Sequence, residues 1–154
     1  MKKIIIVAGA PDTGKTTTTN ALIKKLLSDG YRVESLEDGK RFWEKPCKKT
    51  GEYNYSGNVV LNKNGGKILV VTYGDTMSGL ELVLTEDNLA KVDTVVCCSH
   101  ATRGKEVFGY MNGRAIEWFK SGVKIIPLFK NLLSHFEVKE QENEYFAELI
   151  KGLL

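Results

Sequence analysis

Residues Lys3 to Thr16 read KIIIVAGAPDTGKT, and this stretch decides the fold. Lys3 to Ala8 is an unbroken run of Ile and Val with no polar alternation. A strand patterned this way is buried on both faces, as in a parallel sheet covered by helices. A loop bounded by two glycines follows at once. Beyond it, Lys15 to Ser28 sets Ala21, Leu22, Ile23, Leu26 and Leu27 at helical spacing. Asp29-Gly30 is a helix stop, and Tyr31 to Leu36 reads as a second, shorter strand. Strand, loop, helix and strand make a βαβ unit, whose crossover is expected to be right-handed.

The loop itself carries chemistry. Gly9-Ala10-Pro11-Asp12-Thr13-Gly14-Lys15-Thr16 fits G-x-x-x-x-G-K-S/T at every fixed position. Glycine admits backbone conformations that a side chain forbids, so successive N–H groups can converge on phosphate oxygens. The helix that starts near Lys15 turns its positive end to the same place. Lys15 is expected to set its ammonium on the β- and γ-phosphates. Thr16 is expected to offer its hydroxyl to Mg²⁺, and Thr17 to support the α-phosphate. A chance glycine turn before a helix is the competing account. The buried strand before the loop and the helix after it speak against that.

Outward from this unit, the chain keeps alternating. Residues 37–56 read as irregular, basic and aromatic. Val59 to Asn62 and Lys67 to Tyr73 flank Lys63-Asn64-Gly65-Gly66, which predicts a β-hairpin that adds an antiparallel strand at the sheet edge. Gly79 to Lys91 predicts a helix, with Leu80, Leu82, Val83, Leu84 and Leu89 available for burial. Thr94 to Cys98 predicts a buried strand, Gly104 to Lys120 a helix and Val123 to Leu128 the last strand. Glu140 to Leu154 predicts an amphipathic helix with Tyr145, Phe146, Leu149, Ile150 and Leu153 toward one side. The expected fold is α/β: a P-loop NTPase-like three-layer sandwich. Its mostly parallel sheet has about five strands plus the hairpin strand, in one domain spanning residues 1–154.

Composition sets outer limits. A net charge of +3 suits an anionic small ligand and is too slight to argue for nucleic acid. The three cysteines, Cys47 and the adjacent Cys97 and Cys98, make no disulfide framework and no spaced zinc set. A polar glycine loop directly follows the first apolar run, where a signal peptide would continue apolar. No run approaches membrane-spanning length, so the expected compartment is the cytoplasm.

With its loop and alternating elements, the chain resembles the P-loop NTPase superfamily, and this resemblance implies ATP or another nucleoside triphosphate, with Mg²⁺, as ligand. Ile68 to Val71 leads through Thr72-Tyr73-Gly74 to Asp75, which resembles a Walker B motif and makes Asp75 the expected second metal ligand. Position agrees, because ligands of parallel sheets sit beyond the strands' carboxyl ends. Asp93 precedes its strand and so lies at the wrong end. Asp75 would equally serve as a helix cap or turn residue. Leu36-Glu37-Asp38-Gly39-Lys40-Arg41 resembles the Asp-Gly segment of small P-loop kinases such as adenylylsulfate kinase. That resemblance implies that Asp38 orients or deprotonates an acceptor hydroxyl and that Arg41 holds the acceptor's anionic group. The family's second acid is Lys40 here, and Asp-Gly is also a common turn pair. Arg103, after the fourth strand, is a candidate to neutralise charge on the transferring phosphoryl group. Arg114 is a weaker one. His100 reads as a loop hydrogen-bonder, Cys97 and Cys98 as strand packing.

Two activities are therefore expected. One is a small phosphotransferase that moves the γ-phosphate of ATP to a nucleoside, nucleotide or metabolite. The other is a P-loop ATPase or nucleotide-dependent switch that acts on a protein partner. The guanine-reading N/T-K-x-D segment of GTPases is absent where Ser99-His100-Ala101-Thr102 stands. The C-terminal helix offers a surface for oligomerisation, although packing on its own sheet is the simpler use.

Overall fold

The computed structural model describes residues 1–9, 14–34, 43–46, 53–74, 76–100, 105–130 and 136–154. Of these, 43–46, 53–56, 105, 108 and 136–139 are described in backbone alone. In chain order the elements are β1 (Lys3–Gly9), α1 (Lys15–Ser28), β2 (Arg32–Glu34), β3 (Trp43–Pro46), β4 (Tyr53–Ser56), β5 (Asn58–Lys63), β6 (Gly66–Val71), α2 (Met77–Val83), α3 (Glu86–Ala90), β7 (Thr94–His100), α4 (Lys105–Lys120), β8 (Lys124–Lys130) and α5 (Phe136–Leu153). Six strands form one sheet in the order β2-β5-β6-β7-β1-β8, and β3 and β4 form a separate antiparallel pair. In the large sheet only β5 runs against the other strands.

The sheet lies between two apolar layers, which makes the chain a three-layer α/β protein. Alternate residues of β1 divide between them. Ile4 and Ile6 join Leu69, Val95 and Cys97 against Leu80 and Val83 of α2, Leu89 of α3 and Val107, Met111 and Trp118 of α4. Ile5 and Val7 join Val70 and Val96 against Leu22, Ile23 and Leu26 of α1 and Ala147 and Ile150 of α5. The unalternating first strand is thus buried on both faces, as its composition requires.

Several expectations are corrected in detail. The hairpin strand β5 is internal rather than at the edge: it lies between β2 and β6, and Val59, Val60 and Leu61 are all buried. A strand apolar on both faces gains more from a central place than from an edge. The edge falls to β2, three residues long, with Arg32 and Glu34 on either side of Val33. Short, charged strands resist pairing with other chains. β1 and β2 share a direction, but β7, β6 and β5 stand between them. The expected helix over residues 79–91 is two helices. Thr85 Oγ1 accepts from Asn88 N at 3.2 Å to begin α3, and Asn88 Nδ2 donates to Val83 O at 3.0 Å to close α2. Within α2, Leu80 and Val83 are buried and Leu82 is exposed rather than buried. Residues 37–56, read as irregular, contain β3 and β4. On α5 the buried face is Asn143, Ala147 and Ile150, while Tyr145 and Leu149 are exposed. No helix among the described residues is long and apolar enough to cross a membrane.

Candidate phosphate-binding site

β1 exits the sheet between two neighbours. Gly9 is in register with His100 at the end of β7 and with Lys130 at the end of β8, and all three residues are buried. The chain returns at Gly14, which adopts a left-handed conformation (φ 82°, ψ 24°) as the N-cap of α1 and supplies no side-chain cap. The first-turn N–H groups of α1 therefore have no side-chain acceptor at the cap, as an anion-binding helix start requires. Ala10, Pro11, Asp12 and Thr13 lie outside the described residues.

Lys15 is the most telling side chain here. A lysine in the first helical turn ordinarily extends into water, but this one is only 6% exposed. Its Nζ donates to Gly9 O at 3.2 Å, so the side chain folds back toward the end of β1. Thr16 and Thr17 are exposed on the first turn. The next three residues turn inward. Thr19 Oγ1 donates to Lys15 O at 3.3 Å and to Thr16 O at 3.0 Å, and Asn20 Nδ2 donates to Thr16 O at 2.9 Å. Four consecutive threonines make a poor helix by intrinsic preference. Here two are displayed and two are buried, and the bonds from Thr19 and Asn20 tie the first turn down.

Asp75 lies outside the described residues, but both of its neighbours are described. Gly74 packs so closely on β7 that a Cβ there would come within 2.1 Å of Cys98 O. Thr76 caps α2, its Oγ1 accepting from Gly79 N at 3.3 Å. Tyr73, half-buried, donates from its hydroxyl to Gly79 O at 3.2 Å, and burial raises the affinity of that phenol for its proton. Past the end of β6 the chain is thus held against β7, one strand from β1, at the sheet's carboxyl end. Asp93 stands at the other end, where it accepts from Lys67 N at 3.0 Å.

The remaining expected site residues separate into two groups. Asp38, Arg41 and Arg103 lie outside the described residues. Arg114 is held in structural contacts: its guanidinium donates to Leu84 O at 3.1 Å, pairs with Glu117 at 3.2 Å and stacks 5.1 Å over Trp118. His100 closes β7 rather than standing in a loop. Cys97 and Cys98 are buried in the same strand, and burial lifts the Cys97 thiol far above its usual range.

Sequence reading missed a second layer behind the loop. Lys130 Nζ donates to Asn143 Oδ1 at 2.8 Å, and Thr18 Oγ1 donates to the same oxygen at 3.2 Å. Glu142 lies 3.4 Å from Lys130 Nζ. A buried face of α5 that reads Asn143, Ala147, Ile150 contains one polar residue out of pattern, and that was the available signal.

No family model matches the chain. Among curated proteins, a probable adenylyl-sulfate kinase of Archaeoglobus fulgidus is 55% identical over 42 residues. The match covers 27% of this chain and 27% of that relative, so the likeness is local. Among solved structures, one titled "Crystal structure of APE1195" aligns over 99% of this chain and 73% of its own, with a TM-score of 0.40 and 17% identity.

Proposed function

We propose that the chain binds a nucleoside triphosphate, ATP by default, with Mg²⁺ at residues 9–16, and transfers its γ-phosphoryl group to a small-molecule acceptor. The observation that carries this reading is the buried Lys15, folded back to the end of β1 from a helix start whose N-cap, the left-handed Gly14, has no side chain. The local likeness to a protein named as a kinase supports the transfer half.

Each residue has a role in this reading. Backbone N–H groups between Gly9 and Thr17, apart from Pro11, which has none, would surround the phosphates. Lys15 neutralises β- and γ-oxygens. Thr16 and Asp75 would hold the metal together with phosphate oxygens, and the metal would supply charge neutralisation on those oxygens. Among the described residues, no three His, Cys, Asp or Glu side chains gather as a metal site of their own. Asp38 orients the acceptor hydroxyl and takes its proton, Arg41 grips the acceptor's anionic group, and Arg103 offsets charge on the group in transit. Such a reaction depends on positioning and electrostatics more than on covalent help from the protein.

The test is ATP consumption with and without a panel of nucleosides, nucleotides and sulfated or phosphorylated metabolites, with Lys15→Ala as control. Stimulation by one class of acceptor, lost in Lys15→Ala, is the expected outcome. Hydrolysis that ignores every acceptor but responds to a protein partner would replace the kinase reading with a switch.

A further inference from the structure

The loop motif accounts for Gly14, Lys15 and Thr16, but not for what stands behind them. Lys130 ends β8 beside Gly9 with its side chain wholly buried. An ammonium at that depth is costly unless it is paired and hydrogen-bonded. Its partners include Asn143 Oδ1 at 2.8 Å, the Glu142 carboxylate at 3.4 Å and the Phe146 ring, whose centroid is 4.6 Å away. All three belong to α5, within the five residues from Glu142 to Phe146. Asn143 Oδ1 also accepts from Thr18 Oγ1 at 3.2 Å, so both lone pairs of that oxygen are used.

Two donors on one oxygen fix the plane and direction of the amide. Its face then meets Gly14: a Cβ built there would lie 2.3 Å from Asn143 Oδ1 and 2.9 Å from Nδ2. Asn143 therefore fills the space that a side chain at position 14 would need, and it bonds to α1 one turn further on. An apolar residue in this seat would pack equally well with Ala147 and Ile150. It would leave the Thr18 hydroxyl and one Lys130 donor without that acceptor, in a place water does not reach.

We propose that Asn143, held in orientation by Lys130, is a positioning residue for the phosphate-binding loop. It braces Gly14 and the first turn of α1, so that α5 forms part of the nucleotide site as well as part of the core. The inference rests on the reading of residues 9–16 as a nucleotide loop. Lys130 acts through Asn143 and does not itself touch the ligand.

The experiment compares wild type, Asn143→Ala, Thr18→Val and Lys15→Ala by calorimetric titration with Mg-ATP, by thermal melting without nucleotide, and by amide hydrogen exchange at residues 18–20, where the N–H groups begin to bond back to the first turn of α1. Asn143→Ala is expected to melt cooperatively, to bind Mg-ATP about tenfold more weakly, as for one lost hydrogen bond, and to exchange faster at residues 18–20 but not in β7. Thr18→Val removes one bond with little change of shape and is expected to weaken binding in the same direction. Folded Asn143→Ala that binds as wild type does, with unchanged exchange at residues 18–20, overturns the proposal. Should Asn143→Ala fail to fold, wild-type affinity in Thr18→Val overturns it. If wild type binds no nucleotide, or Lys15→Ala binds equally well, the nucleotide reading fails instead. The exchange of residues 18–20 in Asn143→Ala then still decides whether the brace exists.

Discussion

At the scale of single residues, Gly14 has no room for change. Gly14 combines a positive φ with the Asn143 amide against its Cα, so Gly14→Ala meets strain and a clash together. Its expected cost is about 1–3 kcal/mol of stability, read by urea unfolding, with loss of Mg-ATP binding in calorimetry. Full binding in that variant would show that the left-handed turn is dispensable. Cys97 and Cys98 make the opposite point, that a reactive residue type can be inert. Both are buried in β7, and burial keeps the Cys97 thiol protonated well above its usual range. A thiol without thiolate is a poor nucleophile. Ellman's reagent is therefore expected to leave both unmodified in the native protein and to reach them only on unfolding. Rapid native labelling, traced to either residue by peptide mapping, would contradict the burial.

At the scale of elements, junctions matter more than interiors. Thr85 is the hinge between α2 and α3, and Thr85→Ala is expected to cost about 1 kcal/mol as a lost N-cap. An unchanged midpoint of urea unfolding would mean that Asn88 holds the break alone. The same junction explains what could be read from the sequence and what could not. The apolar run of β1 announced a doubly covered strand, and the glycine and lysine at residues 14 and 15 announced the start of α1. These signals are local, and they were legible. Thr85-Glu86-Asp87-Asn88 is also a local start signal, but an apolar pattern continuing through Leu84 and Leu89 masked it. The place of β5 inside the sheet was less accessible, because a hairpin's position depends on which strand later pairs with its open side. Val59, Val60 and Leu61, apolar on both faces, held the hint. The Asn143 brace was the least legible feature, since it joins Gly14, Thr18, Lys130 and Asn143 across 129 positions of chain from Gly14 to Asn143. No spacing rule connects residues so far apart.

At the scale of the whole molecule, α1 and α5 lie together on one face of the sheet, and charge fastens their outer seam. Lys25 Nζ sits 2.9 Å from both Glu144 and Glu148, and Lys151 Nζ sits 2.7 Å from Asp29. Hydrogen bonding to Lys25 holds the Glu148 carboxyl below its ordinary range, and bonding to Lys151 does the same for Asp29. The two lysines are raised in return, chiefly by Glu148 for Lys25 and by Asp29 for Lys151. The sign follows directly. Stability from a lowered carboxyl is fully present above its unfolded value and is lost as pH falls through the folded one. Stability from a raised lysine is present below its unfolded value and is lost only as pH rises through the folded one. The seam is therefore complete at neutral pH and fails on the acid side, below the ordinary carboxylate range, or in strong alkali. The carboxylates are exposed and the two lysines only partly buried, so the effect is modest and screened by salt. Glu34 and Asp93 also carry lowered carboxyls elsewhere in the fold, so an acid melting curve of wild type alone would not isolate the seam. The informative quantity is the difference in melting temperature between wild type and the double variant Lys25→Met/Lys151→Met, followed from neutral pH into acid at low and at high salt. That difference is expected to shrink as Glu148 and Asp29 protonate, and to be smaller throughout at high salt. A difference independent of both pH and salt would assign the contribution of these lysines to the packing of their aliphatic stems.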